Sequence, residues 1–205
     1  MTTPTTPTRE RAPRQDRSRD TWDRVLQVGM ELFAERGWQG LTITEVCRRA
    51  NVSAPSIYAR VDGKAGLFLA VHDRWLAQIR ETERMLREEH VREGADAAEA
   101  AASVTHVILG VFDVHAPALR ALIDRSAHDP ELLARGGAAS RRMLGALAQT
   151  LPVPTPQALN VVRTVYTEGL VRVMYGDAFL EPLGETPAAH KARVIGIARA
   201  LATAA

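Results

Sequence analysis

The strongest constraint in this 205-residue chain is a pair of short helix patterns between Thr42 and Arg60, each with its own start signal, separated by two residues. Thr42 and Glu45 stand at the S/T-x-x-E spacing of a capping box, in which each side chain satisfies an orphan backbone N–H of the first turn. Ile43, Val46, Cys47 and Ala50 then form one apolar stripe, with Thr44 and Arg48 together on a flank away from it. Asn51-Val52 makes the corner, where Asn tolerates a left-handed backbone. Ser53 is the predicted N-cap of the second pattern, and Pro55 suits its first turn. Ile57 and Val61 point one way, and Ser56, Tyr58 and Arg60 occupy the other faces. Helices of about seven residues are not stable alone in water, so both must pack on a longer one. Arg19 to about Gly37 supplies it, with Val25, Leu26, Gly29, Leu32 and Phe33 at three- and four-residue spacing and Gly37 as the stop. The result is a three-helix unit ending in a helix-turn-helix.

The rest of the chain also reads as helices. Asp62 looks like the cap of a long helix from Gly63 to about Glu89, striped by Phe68, Val71, Trp75, Ile79, Thr82 and Leu86. At 1.5 Å per residue it spans roughly 40 Å and joins the small unit to the C-terminal part of the chain. After a polar break at Arg92–Asp96, helices are expected over about 98–115, 117–127 (opened by Pro117) and 130–150, the last with a weak point at Gly136-Gly137. Two final helices, about 156–177 and 187–204, are rich in apolar residues; the first is apolar on most faces, which implies burial on both sides. In so small a chain that suggests a second subunit, and the residues expected at that interface are Leu159, Val162, Val165, Leu170, Val173, Val194, Ile195, Ala198 and Leu201. No strand pattern and no internal repeat is present, so the predicted fold class is all-α.

Charge and composition narrow the function. Residues 1–64 carry eleven Lys+Arg against eight Asp+Glu, and the remainder fifteen against sixteen, so the basic excess is front-loaded as in a nucleic-acid module. Residues 1–18 hold three prolines and four arginines and little to bury. They read as a disordered basic arm, either a plain tail or one whose Arg9, Arg11, Arg14 and Arg17 reach phosphates or a minor groove. The single cysteine, Cys47, excludes an internal disulfide and reads as a small buried hydrophobe in a reducing, cytoplasmic protein. No apolar stretch is expected to span a membrane, and the Thr/Pro/Arg start is not a secretory signal. No nucleophile elbow, Gly-rich phosphate loop or isolated carboxylate pair suggests an enzyme. His106, His115 and His128, nine and thirteen residues apart, do not share a helical face as paired metal ligands would, so neither metal nor cofactor is expected.

The segment Leu41–Val71, LTITEVCRRANVSAPSIYARVDGKAGLFLAV, preceded by MELFAERGW at Met30–Trp38, resembles the DNA-binding segment of the tetracycline-repressor (TetR) family. Phe33, Gly37, Thr42-x-Thr44, Val46, Val52-Ser53, Tyr58 and Lys64 fall in the family's order and spacing. The resemblance covers about 50 residues. It implies an N-terminal three-helix unit with a helix-turn-helix over 19–64 and a C-terminal helical effector-binding and dimerisation domain over 65–205. In that fold the last two helices form a four-helix bundle with a second copy. The implied partners are double-stranded DNA bearing a palindromic operator, a small-molecule effector and a second copy of the chain, with no membrane. The usual role is repression released by the effector, although activation is an open alternative.

Carried over by position, the resemblance implies that Thr44 meets DNA and that Arg48, one turn on, adds a phosphate contact. Residues 54–60 become the recognition helix. Ala54, Pro55 and Ser56 approach base edges from its N-terminal end, Tyr58 bonds a phosphate, and Arg60 pairs with a guanine edge or the backbone. Lys64, a cation in the first turn of a helix, is locally disfavoured by the dipole, which an incoming phosphate would repair. The departures are Asn51 for the usual Gly, and Ala59-Arg60-Val61 where many members are more aromatic. The implied effector pocket has Trp75, Met85, His106, Phe112, His115, Met143 and Tyr166 as candidate lining residues.

Overall fold

The computed structural model describes residues 14–179 and 184–204, with side chains described from Ser18 onward. Among these, eight α-helices and no strand are found: α1 (Arg14–Gly40), α2 (Ile43–Ala50), α3 (Ala54–Tyr58), α4 (Gly63–His90), α5 (Ala97–Ser126), α6 (Pro130–Ala148), α7 (Thr155–Tyr175) and α8 (Pro187–Thr203). Helix α1 reaches back to Arg14, so residues 14–18 of the expected arm are helical, while residues 1–13 lie outside the described residues. Gly37 breaks α1 with φ 61° and ψ −160°, a conformation open to glycine, so the expected stop is a kink before a last turn.

The capping signals divide. Thr42 Oγ1 accepts from Glu45 N–H at 3.2 Å. The reciprocal half of the box is not made, because the Glu45 carboxylate is drawn to Arg48 and Arg49 instead. Asn51 takes the left-handed conformation expected of it (φ 52°, ψ 54°). Ser53 and Asp62 occupy the N-cap positions of α3 and α4 without a side-chain cap bond; Ser53 Oγ is bonded to Ser56 Oγ at 2.8 Å. Asp96, Asp129 and Thr186 cap α5, α6 and α8, each accepting from the N–H three residues on.

Two expectations for the second half are corrected. The helices expected on either side of Pro117 are one, the 30-residue α5, with Pro117 inside it. The ring removes one backbone hydrogen bond, and packing of α5 against α1, α4, α6, α7 and α8 holds the helix through that gap. Helix α5 is also long and apolar enough by length and composition to cross a membrane, with a mean hydropathy of 1.4 over its best window, contrary to the expectation that no stretch would be. Here half of that window is buried inside the protein.

Two apolar clusters organise the packing. One joins α5, α6, α7 and α8 around Val107, Ile108, Leu147, Val161, Val165 and Val194. The other fills the three-helix unit with Phe33, Leu41, Val46 and Ile57, and takes in Leu67, Phe68, Val71 and Trp75 from α4 and Ala118, Leu122 and Leu132 from α5 and α6. The division expected between residues 64 and 65 therefore falls inside one continuous helix and one continuous core. Gly63 begins that helix at φ 64°, which a side chain would strain.

Of the nine residues expected at a subunit interface, Val162, Val165, Val194 and Ala198 are 0% exposed in the single chain and Val173 is also buried. They belong to the core of the single chain, because α7 and α8 bury those faces against α5. Leu159, Leu170, Ile195 and Leu201 are half-buried and retain accessible surface.

Candidate functional site

The α2–α3 corner sits on the surface, anchored by few side chains. Val46, Ala50 and Ile57 are fully buried in the N-terminal core, where α2 packs on α1 and α3 packs on α2. Opposite that anchor, Thr44, Arg48, Pro55, Ser56, Tyr58 and Arg60 are exposed, and Ala54 and Lys64 are half-buried. Tyr58, 57% exposed, is one of the few large apolar-bodied side chains turned to solvent, so it does not pack on α1. Helix α3 ends at Tyr58, two residues before the expected end of the recognition helix. Ala59 and Arg60 lie in the adjoining turn, where Ala59 N–H and Arg60 N–H donate to the Pro55 and Ile57 carbonyls.

The three cations of this face already have partners. Arg48 forks onto the Glu45 carboxylate through Nε at 2.9 Å and a terminal N–H at 2.7 Å. Glu45 is correspondingly held down to about 2, chiefly by that bond, with Arg49 adding and burial opposing. Arg60 donates to Ser18 Oγ at 2.6 Å and to its carbonyl at 3.1 Å, and its guanidinium lies 5.1 Å from the Trp22 ring. It thereby braces the corner against the start of α1. Lys64 Nζ lies 4.3 Å from the centre of the Trp38 ring, so the ring's negative face offsets part of the unfavourable dipole. Burial, with a contribution from Arg125, holds the Lys64 amine below its ordinary range.

The Trp38 ring, given no role by sequence reasoning, is a junction. Arg125, at the end of α5, places its guanidinium 4.8 Å from the same ring, and Phe68 of α4 meets it edge-on at 5.2 Å. From Phe68 a run of rings continues through His72 and Trp75 to His115 on α5. No periodicity argument pairs Trp38 with Arg125, because they are 87 residues apart.

A cavity of about 420 Å³ opens between α4, α5, α6 and α7, in the range of small-molecule sites. Of the seven expected lining residues, Phe112, Met143 and Tyr166 line it. The others lie elsewhere. Met85 is 57% exposed on the outer face of α4. His106 stacks on His90 with ring centres 4.7 Å apart. Trp75 is buried in the N-terminal cluster, and His115 is buried against it, bonded to Thr82 Oγ1 at 3.1 Å. His106, His115 and His128 thus have separate surroundings, and among the described residues no group of His, Cys, Asp or Glu is placed to hold a metal. The residues that were missed include Leu76, Ile79, Leu122, Leu132, Ser140 and Arg141. The signal that could have found them was Gly136-Gly137, two residues without side chains in an apolar helix, which line the cavity.

A larger crevice of about 600 Å³ between α5, α7 and α8 mixes apolar and charged lining residues. Its charges are already matched: Arg172 pairs with Asp177 at 2.8 Å, Lys191 with Asp113 at 3.9 Å, and Arg120 Nε donates to the Val173 carbonyl at 2.8 Å.

Residues 25–71 match the model of the bacterial regulatory proteins of the tetR family. The HTH-type transcriptional repressor ComR of Escherichia coli (strain K12) is 33% identical over 54 residues, 26% of this chain. The match spans about a quarter of that relative's length. In fold, the chain is similar to SCO7518 of Streptomyces coelicolor A3(2), a candidate transcriptional regulator (TM-score 0.69, 17% identity, 90% of this chain and 99% of that one). It is also similar to the transcriptional regulator FadR of Bacillus subtilis, solved with stearoyl-CoA (TM-score 0.52, 14% identity, 89% and 98%).

Proposed function

We propose that the chain, whose residues 25–71 match the model of the tetR family of bacterial regulatory proteins, is a member of that family and a dimeric repressor released from a palindromic operator by a small-molecule effector. The observation that carries the reading is the α2–α3 corner: Thr44, Pro55, Ser56 and Tyr58 are exposed together, while Val46, Ala50 and Ile57 behind them are fully buried. A helix held from behind by so few apolar side chains presents the rest of its surface to a partner. The N-terminal end of α3 is short and neutral, so Ser56 reads base edges and Tyr58 bonds a phosphate. Backbone contacts and duplex shape carry much of the affinity. Arg48 and Lys64 exchange their internal partners for phosphates. Thr44 flanks them.

The cavity and the DNA-facing unit share residues, which gives the release step a physical route. Leu122 and Leu132 line the cavity and also belong to the N-terminal core with Phe68 and Trp75. A ligand that displaces them presses on α4, whose first turn holds Lys64. Movement of α5 also carries Arg125 against Trp38. Two subunits respond together, and the spacing of their α3 helices departs from the roughly 34–36 Å that successive major grooves require. The repressor named among the relatives supports the sign of this reading, and the stearoyl-CoA complex of a structural neighbour supports a small-molecule ligand.

The test is an anisotropy titration against the DNA flanking the protein's own gene, with a scrambled duplex beside it and a salt series. Sequence-selective binding that weakens steeply with salt is expected. Equal affinity for both duplexes at every salt concentration would remove the reading.

A further inference from the structure

We propose that the cavity between α4, α5, α6 and α7 takes an apolar monocarboxylate of about fourteen non-hydrogen atoms, its carboxylate held by Arg141. The inference rests on the reading of the chain as an effector-responsive regulator and names the class of that effector.

Size comes from the cavity, about 420 Å³. A water molecule's share of liquid volume is about 30 Å³, and a methylene or a ring carbon is of similar bulk, so roughly fourteen such groups fill it. Character comes from the wall. Leu76, Ile79, Val111, Leu119, Leu122 and Leu133 give it an apolar body, and apolar surface removed from water there is the main source of affinity. The polar groups are few. Ser126 Oγ is committed to the Ile123 carbonyl at 2.8 Å. Ser140 Oγ and Tyr166 OH are bonded to each other at 2.8 Å. Between them that pair keeps one hydroxyl proton and free lone pairs, which suits one oxygen of a ligand headgroup.

Arg141 sets the sign of the charge. Among the described residues it is the one charged group in this wall. Most of the protein's other arginines near this cavity are committed: Arg142 donates to Glu83 at 2.6 Å, and Arg135 to Glu131 and Asp73. Arg141 has no acidic or carbonyl partner among the described residues. Its guanidinium folds back along α6 over Gly137, where a Cβ would come within 3.1 Å of Nη1. The missing side chain at Gly137 leaves room for it there. A planar fork of N–H donors at the rim of an apolar cavity matches a carboxylate bidentately, whereas a neutral amide offers one acceptor and a cation is repelled. Gly136 completes the arrangement, since a Cβ there would meet nothing within 4 Å. That open space belongs to the ligand.

The experiment is calorimetric titration of the full-length protein, without DNA, with three probes: 1-naphthaleneacetate, the isosteric neutral 1-naphthaleneacetamide, and dodecanoate. Both acids have about fourteen non-hydrogen atoms, one as rings and one as a chain, so their ratio reports the shape preference while either one supports the class. The acid is expected to bind at least tenfold more tightly than its amide. Arg141→Gln, at an exposed helix position, should bring acid and amide to within twofold of each other. Gly136→Leu should abolish binding of all three while leaving the thermal transition intact. The proposal is overturned if the amide binds as well as the acid, if Arg141→Gln leaves the acid-to-amide ratio unchanged, or if none of the probes binds the folded protein. Release of operator DNA, measured separately with the same probes, reports on the regulatory reading and not on the class of ligand.

Discussion

Replacing His72 by Leu should make the protein more stable, and more so in acid. His72 is 1% exposed on α4, and neither ring nitrogen has a hydrogen-bond partner. It faces Met30, Phe33, Phe68, Val71, Trp75, Ala118 and Leu122 around a void of only about 10 Å³, which is at the lower limit for one water molecule. A buried polar group left unmatched costs about 1–3 kcal/mol, and Leu is close to imidazole in bulk without the polar atoms. The substitution should therefore gain about 1–3 kcal/mol at pH 7.5. The pH dependence follows from burial, which holds His72 below its ordinary value of 6.5, with Arg135 adding to that effect and Asp73 opposing it. Below pH 6.5 the unfolded chain then binds a proton that the folded one refuses, so stability present above 6.5 is lost as pH falls toward the folded-state value. The loss between pH 7.5 and 5.5 is therefore at most about 1.4 kcal/mol, the limit for a group that takes up no proton in the fold. His106, His115 and His190 are also lowered by burial, but they are common to both proteins and cancel in the difference. Urea unfolding at fixed protein concentration, at pH 7.5 and 5.5, reads both quantities. A His72→Leu variant less stable than wild type at pH 7.5, or a variant whose advantage does not grow at pH 5.5, would refute the reasoning.

The remaining predictions concern the interfaces and one close contact. Val165→Asp should unfold the subunit, because Val165 is 0% exposed in the single chain, whereas Ile195→Asp should leave the subunit folded and separate the dimer; circular dichroism with sedimentation distinguishes the two. Tyr58→Phe and Lys64→Ala should weaken DNA binding across sequences, and Lys64→Ala should reduce the salt slope by about one, read by anisotropy against salt. Gly169→Ala should cost about 1–2 kcal/mol in a urea melt despite the better helix former, since its Cβ would fall 2.5 Å from the buried Phe112 ring.

The DNA-facing unit was legible because its signals are local. Thr42 acts through its hydroxyl on a backbone N–H three residues on, Asn51 and Pro55 act through their own backbone, and the buried positions Val46, Ala50 and Ile57 lie within a few residues of one another. Capping was legible only in part. Glu45 has the right spacing to complete the capping box, but Arg48 and Arg49 compete for its carboxylate, and a charged partner displaces a neutral N–H. The cavity was legible in Phe112, Met143 and Tyr166, and misread in Met85 and His106. Residue type alone does not say which side of a long helix faces inward when both sides carry apolar or aromatic groups.

What the sequence determined by itself is the helical class, the order of the elements and the helix-turn-helix, all of which depend on periodicity and on contacts between near neighbours. What only the tertiary structure decided is who meets whom at long range. Pro117 stays inside α5 because five other helices pack around it. Val162, Val165 and Val194 turn toward their own subunit because α5 reaches them first. Arg125 and Lys64 share the Trp38 ring because the end of α5 lies beside the start of α4. The physical reason is common to all of these. An apolar stripe specifies that a face is buried, and burial is non-directional, so the partner is chosen by the packing of the whole chain.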